Sequence, residues 1–446
     1  MKPCHRTYFS FSLHLTEKMA PIFNPINFRR MELLDAHTFS LDSQGNVYTV
    51  TSITPNQSHT TKLIVATLHR KVFCMELSMS HCARPCGCVV VPQSQEIQFT
   101  YIPSGAEIIS IDAFNRSKTE DDFVIGVTIL KSAESGSRGQ YLNIYSDLDV
   151  MLDHKPWKME NLAQNCISLL LDFVPYQLTH CTVDESTLWV LGGSDNRIHI
   201  YSEDKEKHMY LEVESCSTLP EFSKPFKSVP IFTDIMTVDN VRLTVTCCEC
   251  GQLVVTRINT DNTNLEIWEK QFDGPLTSAR LFYSDPTPIT PPSFLNISQA
   301  KQPSKLNLCV SYSLGETQVY HNILDNMLND SMSLPYSSSY DIVTCICVAD
   351  ISMSGRNSVI LGCYGQMVLC YSFINDLWQC DWRRSMSAPV LSIRCEDVTG
   401  DGVRELVVVT SKGVQVLQPQ LDNVMKLTLE RLKKLATKQE AVKTET

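Results

Sequence analysis

The sequence predicts an all-β fold, a seven-bladed β-propeller followed by a short C-terminal helix. Three observations carry that prediction. A strand–turn–strand unit recurs seven times along the chain. A further strand candidate precedes most of these hairpins, and a shared Trp-to-Pro junction joins one unit to the next. A chain of 446 residues, 43% apolar and 20% charged, is long enough to bury the core of one large repeat domain.

The hairpins follow in order. KLIVATLHRKVFCMEL starts at 62, DFVIGVTILKSAESGSRGQYLNIYS at 122, TLWVLGGSDNRIHIYS at 187, VRLTVTCCECGQLVVTRI at 241 and KLNLCVSYSLGETQVYH at 305. CVADISMSGRNSVILGCYGQMVLCYS (347–372) and RCEDVTGDGVRELVVVTSKGVQVLQP (394–419) are near-parallel, with Asp350 matching Asp397 and Gly355 matching Gly402. Starts are roughly 40–65 residues apart, which suits a four-stranded unit with variable loops. Leu, Ile, Val and aromatic residues dominate, as half-buried strands require. Six of the seven units carry Gly where a hairpin turn needs φ > 0, and the first has His69-Arg70-Lys71 instead.

Strand candidates ahead of the hairpins are EIISIDAF (107–114), PIFTDIMTV (230–238), TSARLFYS (277–284), DIVTCICVAD (341–350) and PVLSIRCED (389–397). Trp268 followed by Phe272 and Pro275 parallels Trp382 followed by Met386 and Pro389. Each junction reads as an outer strand turning into the next inner strand, with Pro at the entry, where no ladder partner is needed. Radial repetition of such units protects the sheet edges. An open β-solenoid or a pair of β-sandwiches are the competing folds. WD and GH dipeptides are absent, so the chain is WD-like or FG-GAP-like in architecture without being an ordinary WD40 chain.

These elements divide the chain into an atypical N-terminal extension (1–32), the propeller (33–420), and a C-terminal helix and tail (421–446). The first twenty residues resemble a signal peptide only faintly: Ser10, Ser12 and His14 interrupt the apolar part. Three inserts, 203–228, 283–304 and 325–341, break the rhythm and read as loops leaving the disc, facing either solvent or a partner. In the tail, Leu421, Val424, Met425, Leu432 and Leu435 fall at helical spacing. Leu421, Val424, Leu432 and Leu435 are the interaction candidates; packing against the propeller is the alternative. Arg431, Lys433, Lys434 and Lys438 read as a solvated face.

Net charge is −11, which repels phosphate backbones and argues against nucleic acid. No apolar run approaches the ~18 residues of a membrane helix, so no membrane insertion is expected. The 18 scattered cysteines suit reduced thiols buried as small hydrophobes, and the Asn-x-Ser sequons at Asn56, Asn115, Asn296 and Asn329 are then coincidental.

The strongest chemical motif is the acidic loop after residue 396. Asp397, Thr399, Asp401 and Glu405 put oxygens at loop positions 1, 3, 5 and 9, with Gly402 at position 6. That resembles the calcium loops of integrin-type FG-GAP repeats, departing at Thr399 and the longer Glu405. The bland reading is a turn in which Asp397 bonds backbone N–H groups. The sister loop, with Asp350, Ser352, Ser354 and Ser358, offers one carboxylate. His81, Cys82, Cys86 and Cys88 could supply a zinc set, but within eight residues it is cramped. Glu120-Asp121-Asp122 reads as a solvated loop. No phosphate loop, nucleophile elbow or paired-His metal motif is present, so no enzyme, no catalytic residue and no cofactor is expected beyond weak calcium.

FTYIPSGAEIISIDAFNRS (99–117), YLNIYSD (141–147), DGPLTSARLF (273–282), CYGQMVLCY (363–371) and DVTGDGVRELVVVTSKGVQVLQ (397–418) together resemble the kaptin family. The resemblance implies a non-enzymatic subunit of the KICSTOR complex, beside an FG-GAP-repeat subunit and a large scaffold subunit at the cytoplasmic surface of the lysosome. It implies recruitment of the GATOR GTPase-activating complex there, and restraint of mTOR complex 1 signalling when amino acids or glucose are scarce. Its alternative implication is F-actin binding in lamellipodia and stereocilia. The opening ~30 residues and the Cys-bearing insert at 81–90 depart from the family pattern, so the resemblance implies no function for either.

Overall fold

Seven antiparallel four-stranded sheets follow one another along the chain. This computed structural model describes residues 32–444, less 57–59, 82–87, 118, 132–138, 148–157, 184–185, 208 and 287–304. The expected N-terminal extension therefore lies outside the described residues but for its last position. So do the zinc candidates Cys82 and Cys86 and most of the 283–304 insert.

From inner to outer strand, blade I is Val50–Ile53, Lys62–Ala66, Val72–His81 and Cys88–Ile97; blade II is Ala106–Asn115, Phe123–Lys131, Gly139–Ser146 and Cys166–Leu171. Blade III is Pro175–Val183, Ser186–Gly193, Ile198–Asp204 and Met209–Glu212; blade IV is Pro230–Val238, Val241–Cys248, Gln252–Asn259 and Glu266–Gln271. Blade V is Leu276–Tyr283, Leu306–Tyr312, Gln318–Tyr320 and Ser331–Ser333; blade VI is Val343–Ala349, Ser358–Cys363, Met367–Ile374 and Leu377–Ser385. Blade VII takes three strands from the end of the propeller, Val390–Glu396, Glu405–Thr410 and Gly413–Pro419. Its outer strand is Leu33–Ser40, from the start. All seven sequence hairpins are the two middle strands of a blade, and both Trp-to-Pro junctions run from outer to inner strand. Pro175 and Pro230 open inner strands by the same rule.

Seven apolar clusters hold the ring, each shared by two neighbouring blades. The cluster of Phe39, Val50, Leu63, Val398, Val407 and Val416 joins blade VII to blade I. There the Arg394 guanidinium also donates to the Val50 carbonyl at 2.8 Å.

Four expectations need correction. Residues 203–228 do not leave the disc: they form blade III's outer strand and then bury Leu219 and Phe222 between blades III and IV. Their charge is used inside, where Glu221 accepts from the buried Arg242 guanidinium at 2.7 and 3.0 Å and from Thr244 Oγ1 at 3.2 Å. Residues 325–341 likewise contain blade V's outer strand. The run Glu120-Asp121-Asp122 is not simply solvated, because Arg116 grips Asp122 with two bonds, at 2.8 and 2.9 Å, and reaches Glu203 of blade III at 2.6 Å. Finally, most hairpin glycines are not there for φ. Gly251 is left-handed, at φ +86°, but in the turns of blades I, III and VI that conformation falls on Arg70, Asn196 and Gln366. Gly192, Gly365 and Gly413 are instead pressed on the backbone carbonyls of Pro230, Tyr340 and Phe39, where a Cβ would sit 2.3–2.5 Å from oxygen.

Candidate interaction surfaces

The acidic loop links blade VII's inner and second strands. Asp397 accepts from the N–H groups of Gly400 (2.7 Å) and Gly402 (2.8 Å), and Asp401 from that of Val403 (2.8 Å). Gly400 and Gly402 have φ of +74° and +84°, which aims both N–H groups at one carboxylate. Glu405 is turned inward and fully buried, accepting from Val398 N–H (2.9 Å), Thr399 Oγ1 (2.9 Å) and Gln418 Nε2 (3.3 Å). Burial pushes its carboxyl up to about 7, and Asp401 and Asp397 add to the shift. The sister loop repeats the cradle: Asp350 accepts from Ser354 N–H at 2.7 Å and Gly355 N–H at 2.6 Å. Thus Asp397, Thr399, Asp401 and Glu405 share a loop, but with oxygens already engaged by it. Among the described residues, no group of three or more His, Cys, Asp or Glu side chains is arranged to hold a metal ion.

The inner strands carry polar groups that pair between blades. His180 of blade III meets Asp112 of blade II at 2.6 Å, and Arg280 of blade V meets Asp234 of blade IV at 2.9 Å. Tyr48, just before blade I, donates to the Ile231 carbonyl of blade IV at 2.6 Å and so reaches across the ring. These contacts tie blades together, as the paired groups satisfy one another. The cysteines behave as the composition predicts: Cys74, Cys181, Cys247, Cys248, Cys309, Cys345, Cys363 and Cys370 are buried free thiols, and burial pushes Cys345 up to about 12.

One face presents aromatic residues on braced loops. Tyr101, in the connection from blade I to II, and Tyr336, from blade V to VI, are 70% and 68% exposed, with φ of +59° and +63°. A bulky residue pays for that conformation, so something must hold it. In both cases a buried tyrosine on the next blade's third strand bonds the preceding carbonyl: Tyr145 donates to Thr100 at 2.6 Å and Tyr371 to Pro335 at 2.9 Å. The Tyr336 N–H is capped by Glu316 at 2.9 Å, and Leu314 and Tyr364 are exposed on neighbouring turns. Sequence reasoning missed these residues. The available signal was the Tyr-Ser pair that recurs in the third strand at 145–146, 201–202 and 371–372.

The C-terminal helix runs Leu421–Thr444. Leu421 and Leu432 are exposed and Val424 is half-buried; of the Leu435 side chain nothing is described. No helix among the described residues is long and apolar enough to cross a membrane.

A family model described as KICSTOR complex protein kaptin (KPTN) matches residues 33–429. The mouse (Mus musculus) KICSTOR complex protein kaptin is 33% identical over 355 residues, 77% of this chain and 80% of its own. Among solved structures, BBS1N in complex with ARL6DN, soaked with mercury, superposes with a TM-score of 0.52 at 13% identity, covering 88% of this chain and 98% of the other. The lead-soaked crystal of the same complex gives 0.51 at 12% identity, covering 87% and 97%. At that identity these two support the fold alone.

Proposed function

The chain belongs to the kaptin family, and from that premise we propose that it is a non-enzymatic interaction subunit of the KICSTOR complex. In this reading it sits with the FG-GAP-repeat and large scaffold subunits on the lysosomal surface and helps bring the GATOR complex there. The result is restraint of mTOR complex 1 signalling during amino-acid or glucose starvation. The carrying observation is that the family match runs from the strand that closes blade VII into the C-terminal helix, and so spans every blade. The geometry supports it: a rigid disc lowers the ordering cost of binding and has room for interfaces of ~800 Å² per partner. The test is co-expression with the two KICSTOR subunits and affinity purification. Stoichiometric recovery of all three is the expected result; a chain that never brings either down overturns it.

A second reading, F-actin binding, is favoured by the basic residues of the C-terminal helix, of which Lys426 and Lys433 are exposed. Sedimentation with filaments, with and without residues 421–446, decides it. The reading fails if the intact chain stays in the supernatant.

A further inference from the structure

An unpaired strand edge is a row of backbone N–H and C=O groups, and folded proteins protect such edges with charge, proline, bulges or brevity. Six of the seven blades do so. Blade I's outer strand carries Pro92, blade IV's carries Glu266 and Lys270, and blade VI's carries Asp381 at a break in register. Those of blades III and V are only four and three residues long. Blade VII's holds Asp35 and a register shift beside it. Blade II's outer strand, Cys166–Leu171, has none of these devices. Its sequence CISLLL is six residues long, uncharged and in unbroken register with Gly139–Ser146.

The third strand pairs with it on one side, and among the described residues no strand pairs on the other. Ile167, Leu169 and Leu171 pack in the cluster shared with blade III, while Ser168 is exposed and Leu170 is 67% exposed. The Ser146 N–H donates to the Asn165 carbonyl at 3.3 Å, one step beyond the pair Tyr145–Cys166 in the same register. Antiparallel pairs alternate between bonded and unbonded, so Cys166, Ser168 and Leu170 point their N–H and C=O groups outward. Water aside, the group that matches such a row is another extended backbone. Self-pairing would bring two chains of net charge −11 rim to rim, which their repulsion opposes. We propose that Cys166–Leu171 is a docking edge, onto which an extended, alternately apolar segment of a partner protein adds as a fifth strand of blade II. This gives the interaction-subunit reading a contact surface and rests on that reading for its biological setting.

Binding is measured on the full chain by fluorescence anisotropy with a synthetic peptide of alternating valine and threonine, one lysine at each end. Its twin is N-methylated at every valine and threonine and so has no donors for an edge. The twin is expected to bind at least tenfold more weakly. Ser168→Pro removes an outward donor and spares the ladder to the third strand. It and, separately, Leu170→Lys are each expected to weaken binding of the unmethylated peptide at least tenfold. Ile267→Lys, at a 49%-exposed position of blade IV's already charged outer strand, should leave it unchanged. Melting temperature serves as the fold control, since exposed substitutions of this kind barely change stability. In hydrogen exchange, the Ser168 and Leu170 amides should exchange rapidly in the free chain and at least tenfold more slowly with the peptide bound. Equal binding of the twins, no binding of either, or unchanged binding by the blade II variants overturns the proposal. Slow exchange at Ser168 and Leu170 in the free chain does the same, because the edge would already be covered. So does a homodimer in light scattering that Leu170→Lys dissociates, because the occupant would then be a second copy. In the co-expression experiment, a wild-type chain that recovers neither subunit counts against the KICSTOR reading, and the peptide result alone then decides the edge. A wild-type chain that assembles no better than Ser168→Pro counts against the edge.

Discussion

Glu405 shows how a single carboxyl can make the disc sensitive to pH. It is fully buried, and burial raises its folded pKa from the ordinary 4.5 to about 7. The sign follows from linkage. Below the unfolded value both states are protonated and nothing is lost; as pH rises through about 7 the folded carboxyl must ionise inside the protein, and stability falls. A shift of that size corresponds to a loss on the order of 3 kcal/mol by pH 8. Glu405→Gln keeps an acceptor for the Val398 N–H and supplies a donor to the Thr399 hydroxyl. It is expected to melt like the wild type at pH 5 and higher at pH 8; equal differences at both pH values would refute the assignment. Because the oxygens of Asp397 and Asp401 already accept loop N–H groups, we expect the melting temperature to be the same in calcium and in chelator. A calcium-dependent rise would restore the FG-GAP-like reading of this loop.

At the scale of elements, polar segments that looked like excursions are part of the packing. The pair Arg242–Glu221 is buried at 2.7 Å, one residue on blade IV's second strand and the other on the 203–228 segment. Removing one partner strands a charge in the interior. Glu221→Ala is therefore expected to cost about 3–5 kcal/mol, whereas Glu221→Leu with Arg242→Met should recover most of that, as read in urea denaturation. If the single and double variants unfold alike, the pair is not the anchor of this segment. The blade hairpins were legible because alternation and punctuation survive in each, down to Trp268…Pro275 and Trp382…Pro389. Glu221 was not, because a charged residue in a charged stretch carries no local mark of burial; its partner is 21 residues away in sequence. The inner strand Val50–Ile53 was too short, at four residues, to show a period. Tyr101 and Tyr336 were hidden for a related reason: what distinguishes them is a brace from another strand, a non-local contact. The Asp397 cradle, in contrast, is local, and its turn geometry could be read from Asp397 and Gly402 alone.

For the whole molecule the decisive contact joins the two ends of the propeller. Leu33–Ser40 pairs antiparallel with Gly413–Pro419, and the seam is reinforced by Arg384, which donates to the Leu33 carbonyl at 2.7 Å and to Asp35 at 2.6 Å. This strand was not legible as the outer strand of the last blade, since nothing in LLDAHTFS names a partner some 380 residues on. Without this strand, Gly413–Pro419 becomes an open edge and the cluster around Val414 and Val416 loses Phe39, which is only 7% exposed. Phe39→Ala is expected to cost roughly 3–5 kcal/mol. Gly413→Ala should also destabilise, because its Cβ would stand 2.3 Å from the Phe39 carbonyl oxygen, and backbone cannot step aside cheaply. The two substitutions act on one strand pair, so their combination should fall short of the sum. Leu34→Ser, at a 46%-exposed position of the same strand, should change little. Deleting residues 33–40 should lower the urea midpoint and promote aggregation through the freed edge. If that truncated chain unfolds at the wild-type midpoint and stays monomeric, the ring is not held shut by its first strand.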